Sequence, residues 1–209
     1  MKPTSVVLLA ALSLLPATAS AQVSPIGPEI NAIARDVAVG WCERGLMAER
    51  DHHALEAEGM FLHAIEADPG NLGAHLGYAR SLDARGHRAE ALQELARTPR
   101  RAFARDRDAM EYARALNALG ALDDALAVLR DHQESVEATR LLVEMASQGG
   151  RFPEALAASR RLAEMPTATD SDARQARVLV RALTRLVADA DAVRAPHTTT
   201  AFRRALSLD

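Results

Sequence analysis

The amino-acid sequence predicts an all-α chain, a solenoid of helix-turn-helix repeats with flanking capping helices, and three observations predict it. Gly86 and Gly120 open the same phrase, Gly86-His-Arg-Ala-Glu-Ala-Leu-Gln-Glu-Leu95 and Gly120-Ala-Leu-Asp-Asp-Ala-Leu-Ala-Val-Leu129, and the step between them is the helix-turn-helix period of about 34 residues. A third copy, Gly150-Arg-Phe-Pro-Glu-Ala-Leu156, follows at a slightly shorter step. The composition, 48% apolar and only 3% aromatic, describes a core of Ala and Leu, whose small side chains let helices pack closely. A unit repeated at such a step buries its apolar face only against its neighbours, so the repeats form one continuous stack.

From the N-terminus, Met1-Lys2, the apolar run Val6 to Leu15 and the small residues Ala19-Ser20-Ala21 have the form of a cleavable secretory signal over residues 1–21, cut between Ala21 and Gln22. The apolar run is too short for a bilayer of roughly 30 Å, and no later run is longer, so no membrane span is expected in the mature chain. The expected location is periplasmic or secreted. Residues 22–28 read as a linker, and the domain is expected over 29–209.

Its first helix is expected from about Glu29 to Glu43, with Ile30, Ile33, Val37 and Trp41 on one face, Pro28 just before it and Gly45 closing it. A second helix is expected from about Arg50 to Ala67, carrying the stripe Ala57, Phe61 and Ala64 and ending at Asp68-Pro69-Gly70-Asn71, where Pro69 cannot continue the hydrogen bonding. Helices then alternate with the glycine turns. After Pro166 to Asp170, Ser171 is the expected cap of a long helix to about Val187, and Ala201 to Leu208 reads as a short final one.

Asp68-Pro69-Gly70-Asn71 resembles the inter-repeat turn of the tetratricopeptide-repeat (TPR) family, with Phe61 and Ala64 before it at the large and small core positions. Tyr78, Ala79, Leu82, Gly86, Ala91 and Leu95 are similar to that family's pattern, and Tyr112, Ala113, Leu116, Gly120, Ala125 and Leu129 repeat it. The resemblance implies a right-handed α-solenoid, with the clearest repeats at 72–105 and 106–135, a degenerate repeat at 136–165 and a C-terminal cap at 171–209. In the degenerate unit Leu142 and Val143 keep the large-small pair, but Ala146 and Ser159 replace bulkier residues, so looser packing is expected there.

The resemblance also implies that the first helix of each repeat lines a concave groove for an extended peptide or a partner helix. Carried over, that groove presents Leu76, Arg80 and Asp83, then Met110, Arg114 and Asn117, then Arg140 and Glu144. Arg80 and Arg114 take the same place in successive repeats. The Lys and Asn set with which the family's chaperone-tail binders grip a terminal carboxylate is absent.

A second candidate surface is the stripe Arg174, Arg177, Arg181 and Arg185, at helical spacing along the last long helix. It is answered either by carboxylates on the preceding helix or by an anionic partner, an acidic protein segment or a charged polymer. His52, Glu56, Met60 and His63 resemble a metal set but spread over about 16 Å of helix axis, too far for ligands of one ion. Cys42, the single cysteine, excludes an internal disulfide and reads as a small buried hydrophobe.

Every basic residue after Lys2 is Arg, which reflects a GC-rich bacterial genome more plausibly than a function. The net charge is -3, and a mildly acidic chain is not expected to bind nucleic acid, which requires a basic face to displace counterions. No nucleophile elbow, phosphate loop, zinc-protease motif or cysteine pair occurs, so neither an enzyme nor a cofactor is expected. The expected function is a non-enzymatic exported adaptor whose groove holds a protein or peptide of the cell envelope, in assembly, secretion or polymer export. The alternative is a module that binds or guides an anionic polysaccharide along the arginine stripe.

Overall fold

A computed structural model describes residues 26–194, which are helical throughout apart from short connections. The helices are α1 (Ile26–Arg50), α2 (Ala54–Ala67), α3 (Leu72–Ala84), α4 (Arg88–Arg97), α5 (Asp106–Ala118), α6 (Leu122–Arg130), α7 (Val136–Gln148), α8 (Phe152–Glu164) and α9 (Asp170–Arg194), with one 3-10 turn at Arg100–Phe103. They pair in chain order, α1 with α2 through α7 with α8, and α9 packs on α8. The signal segment 1–21 and the helix expected at 201–208 lie outside the described residues.

Among the described residues, four turns join the paired helices, and all four have one geometry. Gly86, Gly120 and Gly150 sit at φ 84°, 80° and 71°, and His52 sits at φ 63°. In each, the amide after the left-handed residue reaches back five positions: His53 N to Ala48 O at 2.8 Å, His87 N to Leu82 O at 2.9 Å, Ala121 N to Leu116 O at 2.9 Å and Arg151 N to Ala146 O at 2.8 Å. These bonds satisfy helix-end carbonyls, and the left-handed residue is the one that closes the turn. His52 precedes Gly86 by the same interval that separates Gly86 from Gly120, so the repeat step reaches one unit further toward the N-terminus than the glycines reveal. A side chain in this conformation costs about 1 kcal/mol that glycine avoids. His52→Gly is therefore expected to raise the unfolding free energy by about that amount in urea melts, and no gain would mean that the imidazole compensates locally.

The same step runs through the core. Ala57, Ala91, Ala125 and Ala155 are all fully buried, and so are Phe61, Leu95, Leu129 and Ser159 four positions on. Two expectations for the first pair are corrected. Gly45 does not end α1, which continues to Arg50, and α2 begins at Ala54 and not at Arg50, leaving His52 in the turn. Gly45 is there for space: a Cβ on it would stand 2.7 Å from Phe61 Cε1, and one on Gly77 of α3 would overlap the same ring. Phe61 is thus wedged between two glycines from different helices. The stripe Ile30, Ile33 and Val37 faces solvent, because α1 packs through a different side, the one that carries Ala38, Cys42 and Gly45.

The step shortens between the second and third glycine turns. Helices α4 and α5 are joined through the 3-10 turn Arg100–Phe103, whereas Asp131 to Ser135 lead straight from α6 into α7. The expected looseness of the third unit is not found. Seven residues of α7 and five of α8 are buried, against four of α5 and three of α6, because Leu141 and Met145 add bulk beside Ala146. Ser159 leaves its trace differently: its buried hydroxyl has no hydrogen-bond partner among the described residues.

Polar contacts lock the connections. Asn71 caps α3 by accepting from Ala74 N at 3.0 Å, and Ser135 caps α7 by accepting from Ala138 N at 3.3 Å. Tyr112 donates from its hydroxyl to Leu95 O at 2.7 Å and stacks on Phe103 at 4.2 Å. The buried His75 ring lies between two oxygen acceptors, Glu94 Oε1 of α4 at 2.7 Å and Pro69 O of the preceding turn at 3.0 Å.

The cap of α9 is Thr169, not Ser171. Thr169 Oγ1 accepts from Asp172 N at 3.1 Å while Asp172 Oδ2 accepts from the Thr169 hydroxyl at 2.6 Å and from its amide at 3.3 Å, a reciprocal capping box. Those bonds, the hydroxyl's first, hold the Asp172 carboxyl below the ordinary carboxylate range against a smaller opposing effect of burial. A depressed folded value means that the stabilisation is present in full above the unfolded pKa and is lost as pH falls through the folded one. Unfolding of the wild type and of Asp172→Asn is expected to differ at neutral pH and to converge in acid; a difference that persisted at the acid end would assign the effect to something other than this carboxylate.

Candidate functional site

Because the second helix of each pair stacks on its own side, the first helices α3, α5, α7 and then α9 line one continuous groove. Three hollows follow one another along it. The first, about 420 Å³, lies between α3 and α5 and is floored by Leu76, Ala79, Ala115 and Leu119. The second, about 350 Å³, lies between α5 and α7 around Arg114, Asn117, Glu144 and Gln148. The third, about 400 Å³, lies between α7 and α9 and includes Arg140, Glu144, Asp172 and Gln175. Arg114 belongs to the first two hollows, and Glu144 and Gln148 to the last two, so the three form one track.

Seven of the eight expected groove residues line this track. Met110 does not: it packs half-buried against the core, and Glu111, one position on, faces the first hollow instead. The rotation by one position follows from the helix phase, since Tyr112, Ala113 and Leu116 fix which side of α5 turns inward.

The two recurrent arginines are not equivalent. Arg80 is held by Glu49 of α1 through two hydrogen bonds of 3.0 and 2.8 Å, a planar fork on a carboxylate that raises its already high pKa. Asp83 faces Arg88 at 3.5 Å, Glu111 faces Arg107 at 3.3 Å and Arg140 faces Asp172 at 3.5 Å. Arg114 and Glu144 have no ion-pair partner among the described residues, and Glu144 accepts only from the Gln148 amide at 3.3 Å. Glu144 follows Arg114 by the same shortened step that separates Gly120 from Gly150, so the two hold one repeat position, a cation followed by an anion. Apolar hollows on either side of a cation and an anion that lack ion-pair partners among the described residues can seat a segment in a single direction. Sequence reasoning missed three residues: Glu49, which reaches Arg80 from nearly a repeat away, Glu111, which the phase of α5 puts in place of Met110, and Gln148, one helical turn beyond Glu144 on α7.

Arg174, Arg177, Arg181 and Arg185 are all exposed, on the side of α9 opposite its buried Ala176 and Leu183. None reaches a carboxylate of α8 within 4.0 Å, so the preceding helix does not answer them among the described residues. Cys42 is buried at the contact of α1 with α3, close to Gly73, and burial pushes its thiol up, away from the reactive thiolate.

Residues 50–109, from the α1–α2 turn to the start of α5, match a family model described as tetratricopeptide repeat. No curated protein matches the chain in sequence. Similar solved structures include YrrB, described as a TPR protein with an unusual peptide-binding site, at 16% identity and TM-score 0.47, covering 71% of this chain and 77% of that one. MamA protein is similar at 14% identity and TM-score 0.43, covering 76% and 88%. The pilF protein of Pseudomonas aeruginosa is similar at 16% identity and TM-score 0.46, covering 77% and 87%.

Proposed function

We propose that this chain, a tetratricopeptide-repeat protein, is a non-enzymatic adaptor that holds an extended segment or helix of a partner protein along the α3–α5–α7 groove. The observation that carries the reading is the continuous track, apolar in its first and third hollows, in which Arg114 and Glu144 alone among its charged side chains lack an ion-pair partner among the described residues. Apolar side chains of the partner fill the hollows, and one anionic and one cationic group set its direction against Arg114 and Glu144. The form of residues 1–21 supports export, which makes the partner an envelope protein engaged in assembly, secretion or polymer export. No cofactor, metal or nucleic acid enters this mechanism.

The test is site-specific photocrosslinking in the intact envelope from Asn117, in the groove, and from Glu90, on the exposed side of α4. One defined partner is expected from Asn117 and none from Glu90. Arg114→Glu is expected to weaken capture at least about tenfold, the scale for losing a charge-assisted contact that also fixes register. Equal crosslinking from both positions, or capture indifferent to Arg114, would sink the reading.

A second reading, an anionic polysaccharide guided along Arg174, Arg177, Arg181 and Arg185, has in its favour the exposure of all four guanidiniums. It requires capture that fades steeply as salt approaches physiological strength.

A further inference from the structure

Among the described residues, the exposed large hydrophobic side chains are confined to the ends of the stack: Ile30, Ile33, Val37, Val39 and Met47 on α1, Leu55 and Leu62 on α2, and Val178 and Leu186 on α9. None lies on α3 to α8, whose outer surfaces are finished with polar residues. The two end helices are also the long ones, 25 residues each, against 14 at most for those between them.

Their outward faces carry opposite charge. On α1, the side opposite the buried Ala38, Cys42 and Gly45 presents Glu29, Asp36 and Glu43 at seven-residue steps, with Arg50 closing the line at the helix end and Ile33 and Met47 beside it. Each such step is nearly two helical turns, so the three carboxylates form one line about 21 Å long. On α9, the side opposite Ala176 and Leu183 presents Arg174, Arg177, Arg181 and Arg185 with Val178 among them. Glu29, Asp36 and Glu43 have no ion-pair partner among the described residues, and neither have Arg174, Arg177 and Arg181. Each line holds unanswered charge over an apolar strip.

The chain's own outlying segments do not match the arginine face. Residues 1–25 contain no carboxylate side chain, and residues 195–209 bring Arg203 and Arg204 against the single Asp209. The surface that does match is the other end of another copy. We propose that copies of this protein dock end to end, the acidic outer face of α1 in one against the arginine face of α9 in the next. Unlike surfaces meet, so every added copy leaves one α1 face and one α9 face open, and the assembly extends unless its rotation closes a ring. Interfacial charge of this kind steers approach and sets register, while Ile33, Met47 and Val178 lose water on contact. The groove of α3, α5 and α7 takes no part, so this docking and the adaptor reading stand or fall separately.

Sedimentation velocity of the purified protein across a concentration series tests it, at low salt and again at about 0.5 M salt, where screening is nearly complete beyond contact. The expected result is concentration-dependent association that is lost in high salt. Arg177→Glu/Arg181→Glu and Asp36→Arg/Glu43→Arg are each expected to be monomeric at concentrations where the wild type associates. Mixed in equal amounts, the two variants are expected to associate again, since each then meets a complementary end; that recovery also shows that both are folded. A wild type that stays monomeric, a variant that associates as the wild type does, or a mixture that fails to recover overturns the proposal. So does a monomeric wild type that binds poly-L-glutamate through the arginines, which would assign that face to an anionic polymer.

Discussion

Phe61→Ala is expected to lower the unfolding free energy by about 3–5 kcal/mol, the range for emptying a fully buried aromatic site. The ring is completely inaccessible, and it fills the space that Gly45 of α1 and Gly77 of α3 leave between their helices. The converse change, Gly77→Ala, pushes a methyl group into the ring and is expected to cost about 1–3 kcal/mol by overpacking. Combining them provides the sharper measurement: in Phe61→Ala/Gly77→Ala the new methyl enters vacated space, so the double variant is expected to be more stable than the sum of the two losses allows. Strict additivity in urea-melt free energies would mean that the ring and the glycine do not share this space.

The second large effect is expected at His75 and Glu94. Their side chains are buried on α3 and α4 and meet at 2.7 Å, and the remaining ring nitrogen reaches Pro69 O, so one histidine ties two helices to the turn before them. His75→Leu leaves the Glu94 carboxylate buried with only Arg97 nearby, at 3.8 Å. Stranding a buried charged group in this way costs about 3–5 kcal/mol. Replacing both residues by apolar ones removes the stranded group, so His75→Leu/Glu94→Leu is expected to be more stable than His75→Leu alone. If the double variant were the weaker, the pair would be contributing attraction well beyond its mutual rescue from burial.

Much of the architecture is legible without coordinates. The glycines at 86, 120 and 150 do adopt left-handed turns, and Ala91, Ala125, Leu95 and Leu129 are buried where the repeated phrase places them. These succeed because helix faces and helix ends follow rules spanning a turn or so of chain, which a sequence displays directly. The errors share one cause. Local spacing assigns Gly45 to a helix end, yet its role is to admit the ring of Phe61, which lies on the next helix beyond the turn. Ser171 is an equally good cap by residue type, but Thr169 gains the position by pairing with Asp172. In each case residue type permits two answers and a contact made in the folded chain selects one, ring packing for Gly45 and the reciprocal bonds with Asp172 for Thr169.

The groove shows the same division. Its helices, and seven of its eight expected residues, are readable from repeat position. Which of its charges remain available is not, because Glu49 reaches Arg80 from nearly a full repeat away, and nothing at either position announces the other.

By itself the sequence determined the repeat step, the glycine turns, the small-and-large ladder of the core and the helix pairing, since all of these follow from spacing along one chain. The tertiary structure decided that His52 closes a fourth equivalent turn, that Phe61 requires two glycines, and that, among the described residues, Arg114 lacks an ion-pair partner where Arg80 is engaged and the unburied large apolar residues gather at the two ends. Those outcomes depend on which side chains meet after helices a repeat apart are stacked, and on which end surfaces the stacking leaves without a neighbour.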